Sequence, residues 1–344
     1  MKQEVPVELA QAGVGSPASA RPFGFAPAPP RLYPFHGPYG RVALLSNARA
    51  HRNQRERAGE NGLSSHIWQA APHSKAELDR TLAGFARERV ETIVIDGGDG
   101  TVRDVLSLAP HHFRDGIPRI AVVPSGKTNA LAIDLGIAAR WTAREVLASL
   151  DRWKAVTRSP IEIRYDGAHE ARLRGFLFGT GAFVRATNLA QSVHRAGAFN
   201  GLAVGLSLAG AVGQTLFGGA ENPWRRGDAV TLELPDGRAI DREFYLLLCS
   251  TLKRLPLGLK PFGPVRDGLK LLGVDSPPRK VLRSAAALLA GAEREWLSDA
   301  GYKRADTESF RLKIDGSFVL DGETFPGGDL SVTQGAPINF LVPA

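Results

Sequence analysis

A short apolar strand that ends in a glycine-rich turn and continues as a helix constrains this chain more than any other feature. Residues 92–95 read as a buried strand, Asp96-Gly97-Gly98-Asp99-Gly100-Thr101 as the turn, and a helix is expected from Val102. The motif repeats in kind nearby. Residues 42–45 form a strand leading into Ser46-Asn47. Residues 120–123 form another, leading into Ser125-Gly126-Lys127-Thr128-Asn129 and a further helix. Ser74-Lys75-Ala76-Glu77 and Thr142-Ala143-Arg144-Glu145 have the Ser/Thr-x-x-Glu form that opens helices, the first running to about Arg89. Strands alternating with helices mean βαβ units and a parallel sheet.

The pattern changes after about residue 155. Strands expected at 161–165, 230–234, 245–248, 269–274 and 310–314 are accompanied by Asp166-Gly167, Asp236-Gly237, Asp315-Gly316 and Asp321-Gly322, dipeptides that favour hairpins. The expected fold is therefore an α/β domain with a parallel sheet plus a mainly antiparallel β-sandwich domain. The expected boundaries are an arm at 1–40, an α/β domain at 41–154 and a β-rich domain at 155–344, with a return of the last segment to the first domain left open. The arm is rich in Pro, Ala and Gly, and is expected to be disordered or loosely docked.

The chain carries a net charge of +8, which favours an acidic partner: phosphate groups, nucleic acid or an anionic membrane surface. No nucleic-acid recognition module is visible. The single cysteine, Cys249, lies in an apolar run and reads as a core residue; no internal disulfide can form. The N-terminus lacks the apolar segment of a secretory signal. Residues 196–220 contain no charged residue, yet their glycines and polar residues favour a buried or membrane-facing helix over a bilayer span.

The chemistry gathers at the turns. Ligands of open α/β sheets bind at the C-terminal ends of strands. Gly97, Gly98 and Gly100 let a phosphate approach the backbone, the helix start adds a favourable dipole, and Thr101 offers a hydroxyl. Asp99 would repel an anion, so it points to a metal ion or a reacting hydroxyl at the same place. The turn does not match the G-x-G-x-x-G dinucleotide fingerprint. Ser125-Gly126-Lys127-Thr128 is not a Walker A loop either, since that loop needs Gly where Ala121 stands.

Taken in order, Gly97-Gly98-Asp99-Gly100-Thr101, Pro124-Ser125-Gly126-Lys127-Thr128-Asn129, Gly179-Thr180-Gly181-Ala182-Phe183, Asp267-Gly268-Leu269 and Asp321-Gly322-Glu323 resemble the diacylglycerol kinase catalytic-domain family, which includes bacterial lipid kinases and sphingosine and ceramide kinases. The resemblance implies an ATP- and Mg2+-dependent kinase acting on a hydroxyl of a membrane lipid: diacylglycerol, or ceramide or a sphingoid base. ATP would lie against Ser46, Asn47, Gly97, Gly98, Gly100, Thr101 and Ser125 to Asn129. Asp321, Glu323 and Asp99 would be catalytic, with Asp321 as the base. Asp99, Asp267 and Glu323 would organise Mg2+. The partner would be lipid at a membrane surface, with peripheral contact at the cytoplasmic inner face through residues 49–57 and 196–220. A homodimer is left open. Three positions and one segment depart from the family pattern: Ala130 stands in place of Asp, Lys127 in place of a small residue and Asp104 in place of Glu, and Ser46-Asn47-Ala48-Arg49-Ala50 replaces an Asn-Pro-x-Ser-Gly segment. The alternatives are a kinase of a soluble substrate such as NAD, or an inactive lipid- or nucleotide-binding protein.

Overall fold

The computed structural model describes residues 40–47, 67–168, 172–195 and 225–344. The N-terminal arm, the basic stretch at 49–57 and the apolar segment 196–220 lie outside the described residues.

The first layer begins with β1 (Val42–Ser46) and β2 (Trp68–Ala70), helix α1 (Lys75–Arg87), β3 (Thr92–Gly97), α2 (Asp99–His112) and β4 (Arg119–Pro124). Short helices α3 (Ala130–Asp134) and α4 (Ala143–Ser149) follow, then β5 (Trp153–Arg158). The strands β1, β3 and β4 are nearly continuous apolar runs, buried along almost their whole length. Such strands suit the interior of a parallel sheet covered on both faces. Ser74 caps α1 by accepting the Glu77 N–H at 3.2 Å, and Thr142 and Glu145 form a full capping box on α4.

The second layer contains β6 (Ile161–Tyr165), β7 (Arg172–Gly175), β8 (Leu177–Gly181), helix α5 (Ala182–Arg195), β9 (Asp228–Glu233), β10 (Ala239–Ser250) and β11 (Leu269–Asp275). Helices α6 (Val281–Leu289) and α7 (Glu295–Asp299) precede β12 (Tyr302–Thr307), β13 (Ser309–Leu320), β14 (Glu323–Gln334) and finally β15 (Ile338–Pro343). These strands, β15 excepted, join into one antiparallel sheet in the order β12-β11-β10-β8-β13-β14-β6-β7, with β9 bridging β10 and β13. In β13, buried Phe310, Leu312 and Ile314 alternate with exposed Arg311 and Lys313, the period of a strand with one face in a core. Cys249 is buried in this core, and burial pushes its thiol well above the usual range.

The first sheet has the order β2-β1-β3-β4-β15-β5. β15 runs parallel to β4 and antiparallel to β5, so the last described strand sits inside the first layer. β5 straddles residue 154, which carries the first layer to Arg158. Two local expectations are corrected. Helix α2 starts at Asp99, so Asp99, Gly100 and Thr101 form its first turn; the Thr101 and Val102 N–H groups already donate to the Gly98 carbonyl. Asp315-Gly316 is not a hairpin but an irregularity within β13, between Ile314 and Ser317. Opposite it stands Gly327, where a Cβ would lie 2.4 Å from the Ile314 carbonyl oxygen; the crowded approach tolerates only glycine.

Candidate active site

The two glycine turns lie at neighbouring strand ends, because β3 pairs with β4 through Gly97 opposite Pro124. They touch directly. A Cβ on Gly98 would lie 2.9 Å from the Gly126 Cα, and one on Gly97 would lie 2.7 Å from the Thr101 side chain. The second turn is closed by its own asparagine: Asn129 Nδ2 donates to the Gly126 carbonyl at 2.8 Å, and its Oδ1 accepts the Gly126 N–H at 2.9 Å. Asn129 adopts φ 51°, a left-handed conformation that asparagine tolerates. Ser125 turns its hydroxyl inward to donate to buried Asp96. Lys127 and Thr128 remain exposed.

Asp99 joins the two turns. Its carboxylate accepts the N–H groups of Ala130 at 2.9 Å and Leu131 at 3.0 Å, capping α3 from another helix. Burial raises its pKa, and these backbone N–H groups oppose the rise.

Asp321 arrives from the second layer. Asp321 and Gly322 join β13 to β14 as a two-residue hairpin with Leu320 opposite Glu323. Their φ values of 46° and 79° are the pair that a type I′ turn requires. The Asp321 carboxylate accepts the Phe176 N–H at 3.1 Å and the Leu177 N–H at 2.9 Å. β7 comes this close because residue 175 is glycine; a Cβ there would meet the Asp321 carboxylate at 2.5 Å. Burial lifts the Asp321 pKa to about 7, the charge of Asp99 adds to the rise, and the two N–H groups and Arg103 oppose it.

Asp99 and Asp321 line one cleft of about 670 Å³ together with Lys127, Thr128 and Ala130. The facing wall comes from Leu177 and from Phe183, Thr187, Ala190 and Gln191 on α5. Their i, i+4, i+7, i+8 spacing puts these four on a single helix face. A polar floor with two carboxylates thus meets a largely apolar wall. Gln191 Nε2 fastens α5 to the hairpin by donating to the Gly322 carbonyl at 2.8 Å.

Ser46, Asn47 and Thr101 line a second, smaller cavity of about 270 Å³, with Lys75, Asp104 and Glu323. Asn47 Nδ2 donates to Thr101 Oγ1 at 2.9 Å. Arg103, buried in α2, donates to Glu323, to Asp104 Oδ1 at 2.8 Å and to the Leu320 carbonyl at 3.1 Å. It therefore ties the first layer to both ends of the Asp321 hairpin. Lys75 adds a weaker pair to Glu323 at 3.4 Å. Sequence reading passed over Arg103, since an arginine on a helix ordinarily reads as a solvated side chain. The α5 face was findable from its period.

The three acids expected to organise Mg2+ are not gathered. Asp99 lines the first cavity and Glu323 the second. Asp267 lines neither; it is largely exposed and pairs with Lys253 at 2.7 Å, which holds its pKa below the usual range. Both Asp99 oxygens are engaged by N–H groups and Glu323 faces two cations. Among the described residues no cluster of three His, Cys, Asp or Glu side chains could hold a metal ion. These residues do not fit a protein-built metal cage.

The arrangement is that of a two-layer protein whose glycine turns and acidic hairpin meet in a cleft. Residues 46–158 match the family of the diacylglycerol kinase catalytic domain, which bears out the resemblance carried by the turn motifs. In structure the chain is similar to a "putative diacylglycerol kinase" from Bacillus anthracis strain Sterne, with a TM-score of 0.60, 14% identity, and coverage of 87% of this chain and 96% of that one. It is also similar to a diacylglycerol kinase structure from the same strain, with a TM-score of 0.54, 13% identity and the same coverage. At these identities the likeness establishes a shared fold. No curated protein matches the chain by sequence. Among the described residues no helix is long and apolar enough to cross a membrane.

Proposed function

We propose that this protein is a lipid kinase that transfers the γ-phosphoryl group of ATP, used as its magnesium complex, to a hydroxyl of a membrane lipid. Diacylglycerol is the first acceptor in this reading, and ceramide or a sphingoid base the second. The observation that carries it is the Asp321 carboxylate, poised near neutral pH in the cleft between the glycine turns and the apolar side chains of Leu177, Phe183 and Ala190.

The chemistry follows from those groups. An acceptor hydroxyl beside Asp321 gives its proton to the carboxylate while its oxygen bonds to the γ-phosphorus, and ADP leaves with the electrons of the broken P–O bond. A base with a pKa near 7 is suited to this step at neutral pH. Lys127 supplies positive charge at the exposed edge of the cleft, and Thr128 a hydroxyl. Leu177 with Phe183 and Ala190 of α5 offers apolar surface that suits the acyl chains of a lipid. Asp99 positions the second turn by holding α3. In this reading the protein works in the cytoplasm at the inner face of the membrane, and neither its mechanism nor its partners involve nucleic acid.

The test is transfer of labelled γ-phosphate from ATP with Mg2+ to diacylglycerol, ceramide, a sphingoid base and NAD, with Asp321→Asn alongside the wild type. A labelled lipid formed only by the wild type supports the reading and identifies the acceptor. Labelled NAD without labelled lipid overturns it in favour of a soluble substrate. ATP binding without any product overturns it in favour of an inactive binding protein.

A further inference from the structure

Helix α6 is apolar on two sides. It buries Ser284 and Leu288, and turns Leu282, Ala286, Leu289 and Ala290 outward along one face. Leu282 is 63% exposed. The loop after β10 abuts the C-terminal end of this helix: the Lys260 N–H donates to the Leu289 carbonyl at 2.8 Å. Three residues earlier, Leu257 is 93% exposed and sits at φ 59°, a backbone region that disfavours bulky side chains. The chain thus spends backbone strain on displaying a leucine to solvent, and an observed outlier of this kind points to function.

Cations surround this apolar surface. Residues 254–260 and 279–290 contain five basic residues, Arg254, Lys260, Arg279, Lys280 and Arg283, and no acidic one; all five are exposed. Asp267 pairs with Lys253 and Asp306 with Arg266, and Glu293, the first acid after α6, stands beside Arg266 and Arg304. The surface also connects to the cleft. The Arg254 N–H donates to Asp134 Oδ1 at 2.7 Å, at the end of the helix whose first residue, Ala130, lines the cleft. Ile133 between them is 39% exposed.

We propose that the Leu257 loop and the outer face of α6 form a docking surface for an anionic lipid bilayer. The leucines enter the boundary between headgroups and acyl chains, and the five cations face lipid phosphates. A second copy of the chain fits less well, because a two-fold contact would set the same five cations against each other. The assignment gives the proposed kinase its route to a bilayer-held acceptor and rests on that reading for its purpose. Bilayer binding itself requires no turnover.

The experiment is sedimentation with vesicles of phosphatidylglycerol and phosphatidylcholine, or of phosphatidylcholine alone, without nucleotide. Wild type and Asp321→Asn should both bind the anionic vesicles, and less at high salt. The Leu257→Asp/Leu282→Asp variant should bind at least ~10-fold more weakly at unchanged circular dichroism and Tm. Lys260→Glu/Arg283→Glu should lose the preference for anionic over neutral vesicles. Wild-type affinity in the folded leucine variant overturns the proposal. So does a wild-type dimer that the leucine variant converts to monomer. A kinase assay without product leaves these vesicle results standing, so the two readings fail separately.

Discussion

Gly98 and Gly126 meet backbone to backbone: a Cβ built on Gly126 would lie 2.4 Å from the Gly98 Cα and 2.8 Å from Asn129 Oδ1. Neither contact involves the tip of a long, flexible side chain that could swing aside. Gly126→Ala should therefore part the two turns. We expect a loss of roughly 2 kcal/mol in stability and weaker ATP binding, read by urea unfolding and calorimetric titration. Unchanged affinity would separate nucleotide binding from the contact between the turns.

Gly100 is the converse case. The nearest atoms to a Cβ there are the Arg103 guanidinium nitrogens, at 3.8 and 3.9 Å. Gly100→Ala should fold normally and gain about 0.5 kcal/mol, as an alanine does on replacing glycine in a helix. A fall in ATP affinity at intact stability would then report a ligand pressed against the backbone of this turn.

The raised pKa of Asp321 sets two opposing pH trends. As the base it must be ionised, so kcat/KM should climb about tenfold per pH unit below 7 and level off above it. Asp321→Asn should lower kcat by about 10²–10⁴-fold and abolish the climb. Stability runs the other way. A folded-state pKa above the unfolded value of 3.8 means a contribution fully present below pH 3.8 and lost as pH rises through about 7. Asp321→Asn should accordingly unfold at a higher temperature than wild type at pH 8, with the gap closing towards pH 4. Burial displaces Asp99 in the same direction, so this carboxylate remains as background in the variant.

Arg103 reaches the Leu320 carbonyl on one side of the Asp321 hairpin and Glu323 on the other. Arg103→Met should cost about 2 kcal/mol, because the buried carbonyl loses its donor and Glu323 keeps only Lys75. Arg103→Lys should recover little, since an ammonium is a point charge without the planar fork. If Arg103 only stabilised the fold, activity per folded molecule would survive; we expect kcat to fall with KM for ATP nearly unchanged.

Parts of this architecture were legible from residues alone, for identifiable reasons. Parallel strands covered on both faces become apolar runs, so β1, β3 and β4 stood out. Asp-Gly pairs marked the hairpins at 236–237 and 321–322. The same dipeptide at 315–316 misled, because a strand irregularity draws on the same backbone freedom as a turn. β8 was missed because Gly179-Thr180-Gly181 resembles a loop; there glycine makes room for Phe183 and Leu248. Asp99 and Asp321 were both named, yet their meeting in one cleft depends on layer packing that no local pattern encodes. The pairing of Glu323 with Arg103, 220 residues apart, escaped for the same reason.

The place of β15 between β4 and β5 bears on how the chain comes off the ribosome. Residues 338–343 fill a gap in a sheet whose other strands are all made by residue 158. Until they emerge, β4 and β5 have no strand between them and the floor beneath the glycine turns is incomplete. The whole antiparallel layer is synthesised during that interval. A nascent chain stalled before residue 338 would thus hold most of the cleft's side chains while leaving two strand edges open to chaperones or to other chains.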